Sequence, residues 1–163
     1  MATENLHDLY IEQLRDLYDA ENQILDALPK MADQASHAEL KRAFQEHLRV
    51  TQEQVNRLRQ IFSQLGTSPE GETCAGMKGL IKEGEKTIKE WDDSDVLDAA
   101  LIAAAQRVEH YEIAGYGTVR TFAQMLGKPD QAQLLQRTLD EEGETDKKLT
   151  ALAESVINVH ARR

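Results

Sequence analysis

Six acidic or imidazole side chains interrupt the apolar stripes of four helical segments that the sequence predicts. These residues are Glu21, His47, Glu109, Glu112, Glu142 and Asp146. A buried carboxylate or imidazole is costly unless something pairs with it, and several that converge in one helical bundle favour a bound metal ion. Carboxylates with one imidazole form a hard oxygen and nitrogen ligand set, which suits iron or manganese and, less exclusively, zinc. The six residues therefore predict a metal site.

Their spacing predicts that these side chains meet. The acidic pairs on the third and fourth helices are three or four residues apart, so both members of a pair share one helix face. Glu21 lies about as far before the end of the first helix as His47 lies after the start of the second. In antiparallel helices that rise about 1.5 Å per residue, all six would lie near the middle of the bundle. Without a cation the carboxylates would repel each other, so we expect a metal-free form to be less stable or more mobile there.

Each candidate also has an ordinary structural explanation. Glu21 could pair with Arg15 or with an arginine of another helix, and Glu109 could lie on a solvated face. His47 could be a hydrogen-bonded core histidine. The acidic run 140–144 resembles an exposed surface, and only its register against nearby leucines favours an inward position for one of its glutamates.

Other chemistries find little support in the sequence. There is no glycine-rich phosphate loop, and serine and histidine are too scattered to indicate a catalytic triad. Cys74, far in sequence from the helix cores, is expected to be a small apolar filler. Tyr18, Tyr111 and Tyr116 could support the ligands through hydrogen bonds, or could simply pack with their hydroxyl groups at the rim.

Four long amphipathic helices must position these residues. The first is predicted over about residues 4–32, with a kink in its last turn at Pro29. A capping box at Ser36-His37-Ala38-Glu39 starts the second, which ends at Leu65 before Gly66. The third follows the acidic caps at 92–95, and Gly127-Lys-Pro129 separates it from the fourth. Between the second and third helices, residues 66–94 predict a shorter, glycine-containing crossover helix, which either covers its own bundle or forms a dimer face.

Composition limits the class of protein. The chain has 163 residues, few aromatic side chains and sparse Gly and Pro, which favours one all-α domain over residues 1–163. A net charge of -10 argues against nucleic acid or an anionic membrane surface as a partner. No apolar run approaches a membrane span, and the N-terminal segment lacks the features of a signal peptide. With a single cysteine no internal disulfide can form, so we expect a cytoplasmic protein.

The chain resembles the YciF-like family of bacterial stress-response proteins. The likeness is specific in DAALIAAAQRVEHYEIAGYGT (98–118) and weaker in 17–23, 44–48 and 138–153, and it spans nearly the whole chain. The resemblance implies a ferritin-like four-helix bundle related to rubrerythrin, with a shorter crossover helix between long helices two and three. It also implies a homodimer and a metal site, whereas the activity of the family is not established.

The resemblance also assigns positions within a di-iron-type site. Glu21 takes the place of the first-helix carboxylate, and Glu142 takes that of the fourth-helix carboxylate. Glu109-x-x-Glu112 resembles the third-helix pair of rubrerythrin-type sites.

Two helices depart from the usual Glu-x-x-His pattern of such sites. The second helix carries His47-x-x-Val50, in which Val50 removes a possible ligand. The fourth carries Glu142-x-x-Thr145, with Asp146 beside it.

Three functions follow from these observations. The first is a ferritin-like metalloprotein, with iron as the leading cofactor and manganese or zinc as alternatives, that reacts with oxygen or peroxide. The second is a non-catalytic dimeric stress protein whose acidic cluster is vestigial or holds a structural cation. A storage cage or DNA-coating protein is the least favoured, because the chain is acidic and lacks a basic tail.

Overall fold

The computed structural model describes residues 4–163, which are helical with short connections and contain no strand. The helices are α1 (Leu6–Gln34), α2 (Ala38–Leu65), α3 (Ala75–Glu90), α4 (Ser94–Met125), α5 (Pro129–Leu152), a π-helical turn (Ala153–Ile157) and α6 (Asn158–Ala161). Residues 1–3, on which part of the signal-peptide argument rests, lie outside the described residues. Within the described part, no helix is both long and apolar enough to cross a membrane.

Four long helices form a bundle, and the fifth crosses it. Helix α1 packs against α2 and α4, and α5 packs against the same two neighbours. The short connections before α2 and before α5 make each of those helices antiparallel to the one it follows. Helix α3 lies on α4 and α1, as expected of a crossover between the second and third long helices. The predicted all-α, ferritin-like arrangement is therefore confirmed.

The predicted helix boundaries hold to within a few residues, with one difference at the start of α2. Helix α1 runs through Pro29, as predicted, and ends at Gln34, since an exposed proline costs one backbone hydrogen bond but does not end the helix. The cap of α2 is His37 rather than Ser36, and its side chain accepts a hydrogen bond from the Glu39 amide. The Ser36 and His37 amides instead donate to the two carboxylate oxygens of Asp98, each at 2.8 Å. A buried side chain of α4 thus fixes the start of α2.

Close approach between helices explains two glycines near the bundle centre. A Cβ atom on Gly115 of α4 would lie 2.7 Å from Leu17 Cδ2 of α1, and one on Gly76 of α3 would lie 2.6 Å from Tyr111 Cε2. Both contacts are shorter than a methyl group tolerates, so glycine lets α1 and α3 lie close to α4. Cys74 is buried, as expected of an apolar filler, and its sulfur also caps α3 and lies 3.0 Å from the Tyr111 hydroxyl.

The bundle core consists of two apolar clusters with a polar layer between them. One cluster contains Leu28, Leu40 and Leu101, and the other contains Leu14 and Leu58. Glu21, His47, Glu109, Glu112 and Glu142 lie where one cluster gives way to the other along each long helix, whereas the buried Asp98 and Gln131 lie nearer the helix ends. The layer therefore lies at mid-bundle, which is the height that the sequence spacing predicts.

Candidate metal centre

Five side chains from four different helices fill the polar layer. All are almost wholly removed from solvent, with relative exposures of 0% for Glu21, Glu112 and Glu142, 1% for Glu109 and 6% for His47. These side chains face inward because they occupy positions on the apolar stripe of each helix, between core leucines. A buried layer with four carboxyl groups and one imidazole is thus built into the bundle.

The five side chains form two groups that share one member. His47, Glu109 and Glu142 each offer a ligand atom, and these three atoms lie within 4.8 Å of one another. Glu21, Glu112 and Glu142 form a second group by the same measure. Glu142 belongs to both groups, so a carboxylate that contributes to two neighbouring cation positions would fit here.

Most polar atoms of this layer lack a hydrogen-bond partner. Among residues 4–163, both nitrogens of His47, both oxygens of Glu112 and of Glu142, and one oxygen each of Glu21 and Glu109 are buried and unpaired. His47 Nε2 lies 2.7 Å from Glu109 Oε1, but not in hydrogen-bond geometry. Since a buried unpaired polar atom costs about 1–3 kcal/mol, so many in one layer require another partner.

Burial and mutual repulsion raise the pKa values of the four carboxyl groups and so favour their uncharged forms. Burial, followed by the Glu142 carboxylate, raises the pKa of Glu21 from 4.5 to about 8. Burial likewise raises the pKa of Glu109 to about 7. The pKa values of Glu112 and Glu142 lie well above their ordinary value, first because of burial and then because of neighbouring carboxylates. A cation would remove this penalty, because it favours the ionised form of each group.

The residues present fit a pair of divalent cations. Four carboxylates and one imidazole supply hard donors, several of their atoms have no other partner, and the shared glutamate suits a bridge. One imidazole in the set favours iron or manganese, while zinc sites more often use several nitrogen or sulfur ligands.

One tyrosine and one threonine orient the layer from outside it. The Tyr116 hydroxyl, itself fully buried, donates to Glu21 Oε1 at 2.6 Å. This bond leaves Glu21 Oε2 as the free oxygen. The Thr51 hydroxyl donates to the His47 carbonyl at 2.7 Å, one turn along α2. The Tyr116 contact restricts the rotamer of the Glu21 carboxyl group, whereas the Thr51 contact is made to the backbone of α2.

An ion pair fixes α5 against α2 beside the layer. Arg57 donates through both terminal nitrogens to the two oxygens of Glu141, each at 2.7 Å. Glu141 also accepts from Gln54 at 3.2 Å. Burial raises the pKa of Glu141, but its bonds with Arg57 outweigh this and leave the pKa below its ordinary value. Since Glu141 precedes Glu142, this pair sets the height at which the shared glutamate enters the layer.

Asp146 is the one predicted ligand that the structure leaves outside both groups. Its side chain is about a fifth exposed and contacts α4, with Oδ2 3.2 Å from His110 Nε2 and Oδ1 3.3 Å from Gln106 Nε2. The spacing placed Asp146 and Glu142 on one face, but one helical turn carries Asp146 to the edge of the layer. Asp146 therefore stays a predicted ligand that the described structure does not bring together with the other five.

Two of the ordinary explanations do not match the described contacts. Arg15 donates to Ser68 and Thr67 rather than to Glu21, and Glu109 is buried rather than on a solvated face. His47 Nε2 lies 2.7 Å from Glu109 Oε1, so His47 remains compatible with a core histidine that pairs with a carboxyl group.

Of the three tyrosines, only Tyr116 touches the layer. Tyr111 donates to Asp16, and Tyr18 packs edge-on against Phe62.

Some contributing residues had no signal in the sequence. Asp98 and Arg57 act through partners 61 to 84 residues away. Their roles depend on the register between helices, which a single helical stripe does not specify. In the sequence, Arg57 only adjoins Leu58 of the α2 stripe, which does not by itself predict a partner.

The fold and the layer define a class: a four-helix bundle with a crossover helix and a buried carboxylate–histidine centre. Within that class, this chain belongs to the family described as a domain of unknown function, DUF892, whose sequence model matches residues 5–162. This membership bears out the resemblance stated from the sequence.

Known relatives extend the likeness over the whole chain. The chain is 44% identical to protein YciF of Escherichia coli K12 over 162 residues, which is 99% of this chain and 98% of that protein. The crystal structure of the E. coli stress protein YciF superimposes with a TM-score of 0.91 at 43% identity, covering 96% of this chain and 99% of that one. YcfI of Rhodopseudomonas palustris, described as a candidate structural protein, gives a TM-score of 0.88 at 46% identity over 91% and 95% of the two chains.

A more distant structure supports the fold alone. A protein of Xanthomonas campestris matches with a TM-score of 0.77 at 21% identity, covering 97% of each chain.

Proposed function

We propose that this chain is a stress-response metalloprotein that holds two divalent cations, iron in first place, within its polar layer. The proposal rests on buried ligand atoms that lack a hydrogen-bond partner and that fall into two groups, both of which include Glu142. In this proposal Glu142 bridges the two ions. His47 and Glu109 complete one position, and Glu21 and Glu112 complete the other.

Iron bound at such a site would supply electrons and Lewis acidity for reaction with oxygen or peroxide. The chain's own residues would do the rest. The two apolar clusters keep bulk water from the layer. The Tyr116 hydroxyl holds one oxygen of Glu21 in place and leaves the other free to bind.

Metal titration of chelator-stripped protein tests the proposal. We expect about two manganese or ferrous ions per chain by calorimetry and elemental analysis. Glu142→Gln should abolish both, because its side chain belongs to both groups, whereas Glu21→Gln should remove one. Asp146→Asn is the matched control: it makes the same change one turn away on the same helix and should leave both ions bound. Less than about a tenth of an equivalent in the unaltered protein would refute the proposal.

A non-catalytic structural role is the second candidate. The observation in its favour is the description of the R. palustris neighbour, at 46% identity, as a candidate structural protein. Oxygen consumption by the iron-loaded chain separates the two functions. Two bound ions without oxygen or peroxide consumption would support a structural cation site. Assembly as a homodimer and a cytoplasmic location remain predictions of the sequence under either function.

A further inference from the structure

A cavity beneath the crossover helix connects the solvent with the polar layer. It lies between α1, α3 and α4, measures about 250 Å³ and ends on His47 and Glu109. Its outer end lies at Lys30 and Glu85, whose exposed side chains face each other at 3.9 Å. The walls are mostly apolar and include Ile24, Leu28, Leu80, Ile81, Ile88 and Val108. We call this space the crossover chamber.

The size of the chamber suits a small organic molecule rather than a water or peroxide molecule alone. An apolar cavity of about 150 Å³ is known to bind benzene, which has six carbon atoms. By proportion, the crossover chamber holds a ligand of about ten non-hydrogen atoms. Its apolar walls would gain from contact with an aliphatic body, at about 0.8 kcal/mol for each buried methylene group.

The inner end of the chamber restricts the head group of that ligand. A carboxylate head would add a negative charge beside Glu109 in a layer that already contains four glutamates. An ammonium head would be attracted to the same carboxylates, and it would there compete with the cations proposed for the layer. An uncharged oxygen head, in contrast, can hydrogen-bond to His47 Nδ1, which is buried and has no partner among the described residues.

We infer that the crossover chamber binds an uncharged aliphatic molecule with one terminal oxygen group, such as a primary alcohol or an alkyl hydroperoxide. The aliphatic body lies along α3, and the oxygen head reaches His47 and Glu109. The delivery of that head to a metal rests on the proposed function above. Binding of the aliphatic body does not, because the apolar walls provide it without any ion.

Two glycines of α3 provide a matched pair of variants. A Cβ atom on Gly84, which lines the chamber, would lie 3.9 Å from Ala104 Cβ, so a larger side chain can enter the space without a backbone clash. Gly79 does not line the chamber, and a Cβ atom there would meet nothing within 4 Å. Both substitutions by leucine remove a helical glycine, so both favour helix α3 to a similar extent.

Binding of 1-octanol, followed by heteronuclear NMR on the full chain, tests the inference. We expect saturable shifts confined to chamber residues such as Ile24, Ile81 and Val108, in both chelator-treated and zinc-loaded protein. Gly84→Leu should weaken binding by at least about tenfold, since its side chain takes the place of several methylene groups. Gly79→Leu should leave the affinity unchanged, and octanoate, with a charged head, should bind at least about tenfold more weakly.

Several results would overturn the inference. These are an absence of saturable shifts in the chamber, equal effects of Gly84→Leu and Gly79→Leu, or octanoate binding as tightly as octanol. Octanol binding in the chamber of a chain that takes up no metal would refute the proposed function and leave the chamber as a binding site. Two bound metal ions without octanol binding would refute the inference about the chamber and leave the proposed function in place.

Discussion

Replacing one buried glutamate by glutamine should remove the pH dependence of stability that this residue gives to the metal-free protein. In Glu21→Gln the amide is uncharged at every pH, its oxygen can still accept from Tyr116, and its NH₂ group can donate to a neighbouring carboxyl oxygen. Glu21 itself has a pKa raised from 4.5 to about 8, because of burial and then of Glu142. In the metal-free fold Glu21 therefore keeps its proton over a range of pH in which Glu21 of the unfolded chain has lost that proton.

The sign and size of the effect follow from proton linkage. A carboxyl group with a raised folded-state pKa supports folding fully below pH 4.5, and this support is lost as the pH rises towards 8. One proton held by the folded chain alone costs about 1.4 kcal/mol of unfolding free energy per pH unit. Between pH 5 and 7, Glu21 should therefore lower the stability of the metal-free protein by about 3 kcal/mol, and the glutamine variant should lack this loss.

Urea unfolding followed by circular dichroism, in chelator at several values between pH 5 and 8, measures the difference. The variant should be close to the unaltered protein at pH 5 and more stable at pH 7. Glu12→Gln, an exposed position on the same helix, is the control and should reproduce the unaltered pH dependence. If Glu21→Gln falls in stability with pH as steeply as the unaltered protein, the raised pKa does not exist and the argument for an uncompensated acidic layer fails.

The remaining predictions concern the supports of the layer and the assembly. Tyr116→Phe removes the donor to Glu21 and should lower metal affinity by about 10–100-fold with little loss of helicity, as calorimetry would report. Asp98→Ala leaves the Ser36 and His37 amides without their acceptor and should lower the unfolding free energy by about 1–2 kcal/mol in urea titrations. Light scattering should give the mass of a dimer, and a particle of about a dozen chains would instead favour the storage cage.

Much of the fold was predictable, because the residue pattern that indicates a helix lies within the helix's own sequence. Apolar periodicity identified each long helix, and Gly127 with Pro129 marked the break before α5 correctly. The capping box at Ser36 was misassigned, because the Glu39 amide donates to His37 and the Ser36 amide donates to Asp98 on another helix. A local motif cannot reveal a competing partner 62 residues away.

The layer was predictable to the accuracy of helical register. Glu21 and His47 lie at about equal distances from the short connection between α1 and α2, which brings them to one height. This reasoning needs no knowledge of side-chain direction. Asp146 shows where such reasoning ends. Helix spacing gives the face of a residue only to within a wide angle, and a turn of α5 carries this side chain towards His110 and out of the layer. The bidentate contact of Arg57 with Glu141 was also invisible, because it joins two different helices.

The cost of this layer is itself an argument that it serves a function. A four-helix bundle of this length gains stability from apolar side chains, and such residues in place of buried ionisable groups are often neutral or stabilising. Here five such groups sit at the centre, with raised carboxyl pKa values and atoms that nothing in the described chain satisfies. A polar layer that served only to fix helix register would pair its own members, as Arg57 and Glu141 do just outside it. The ligand atoms of this layer converge from four helices, and several lack a hydrogen-bond partner. They also lie at the end of an apolar chamber, which is the arrangement expected of a site that binds a ligand.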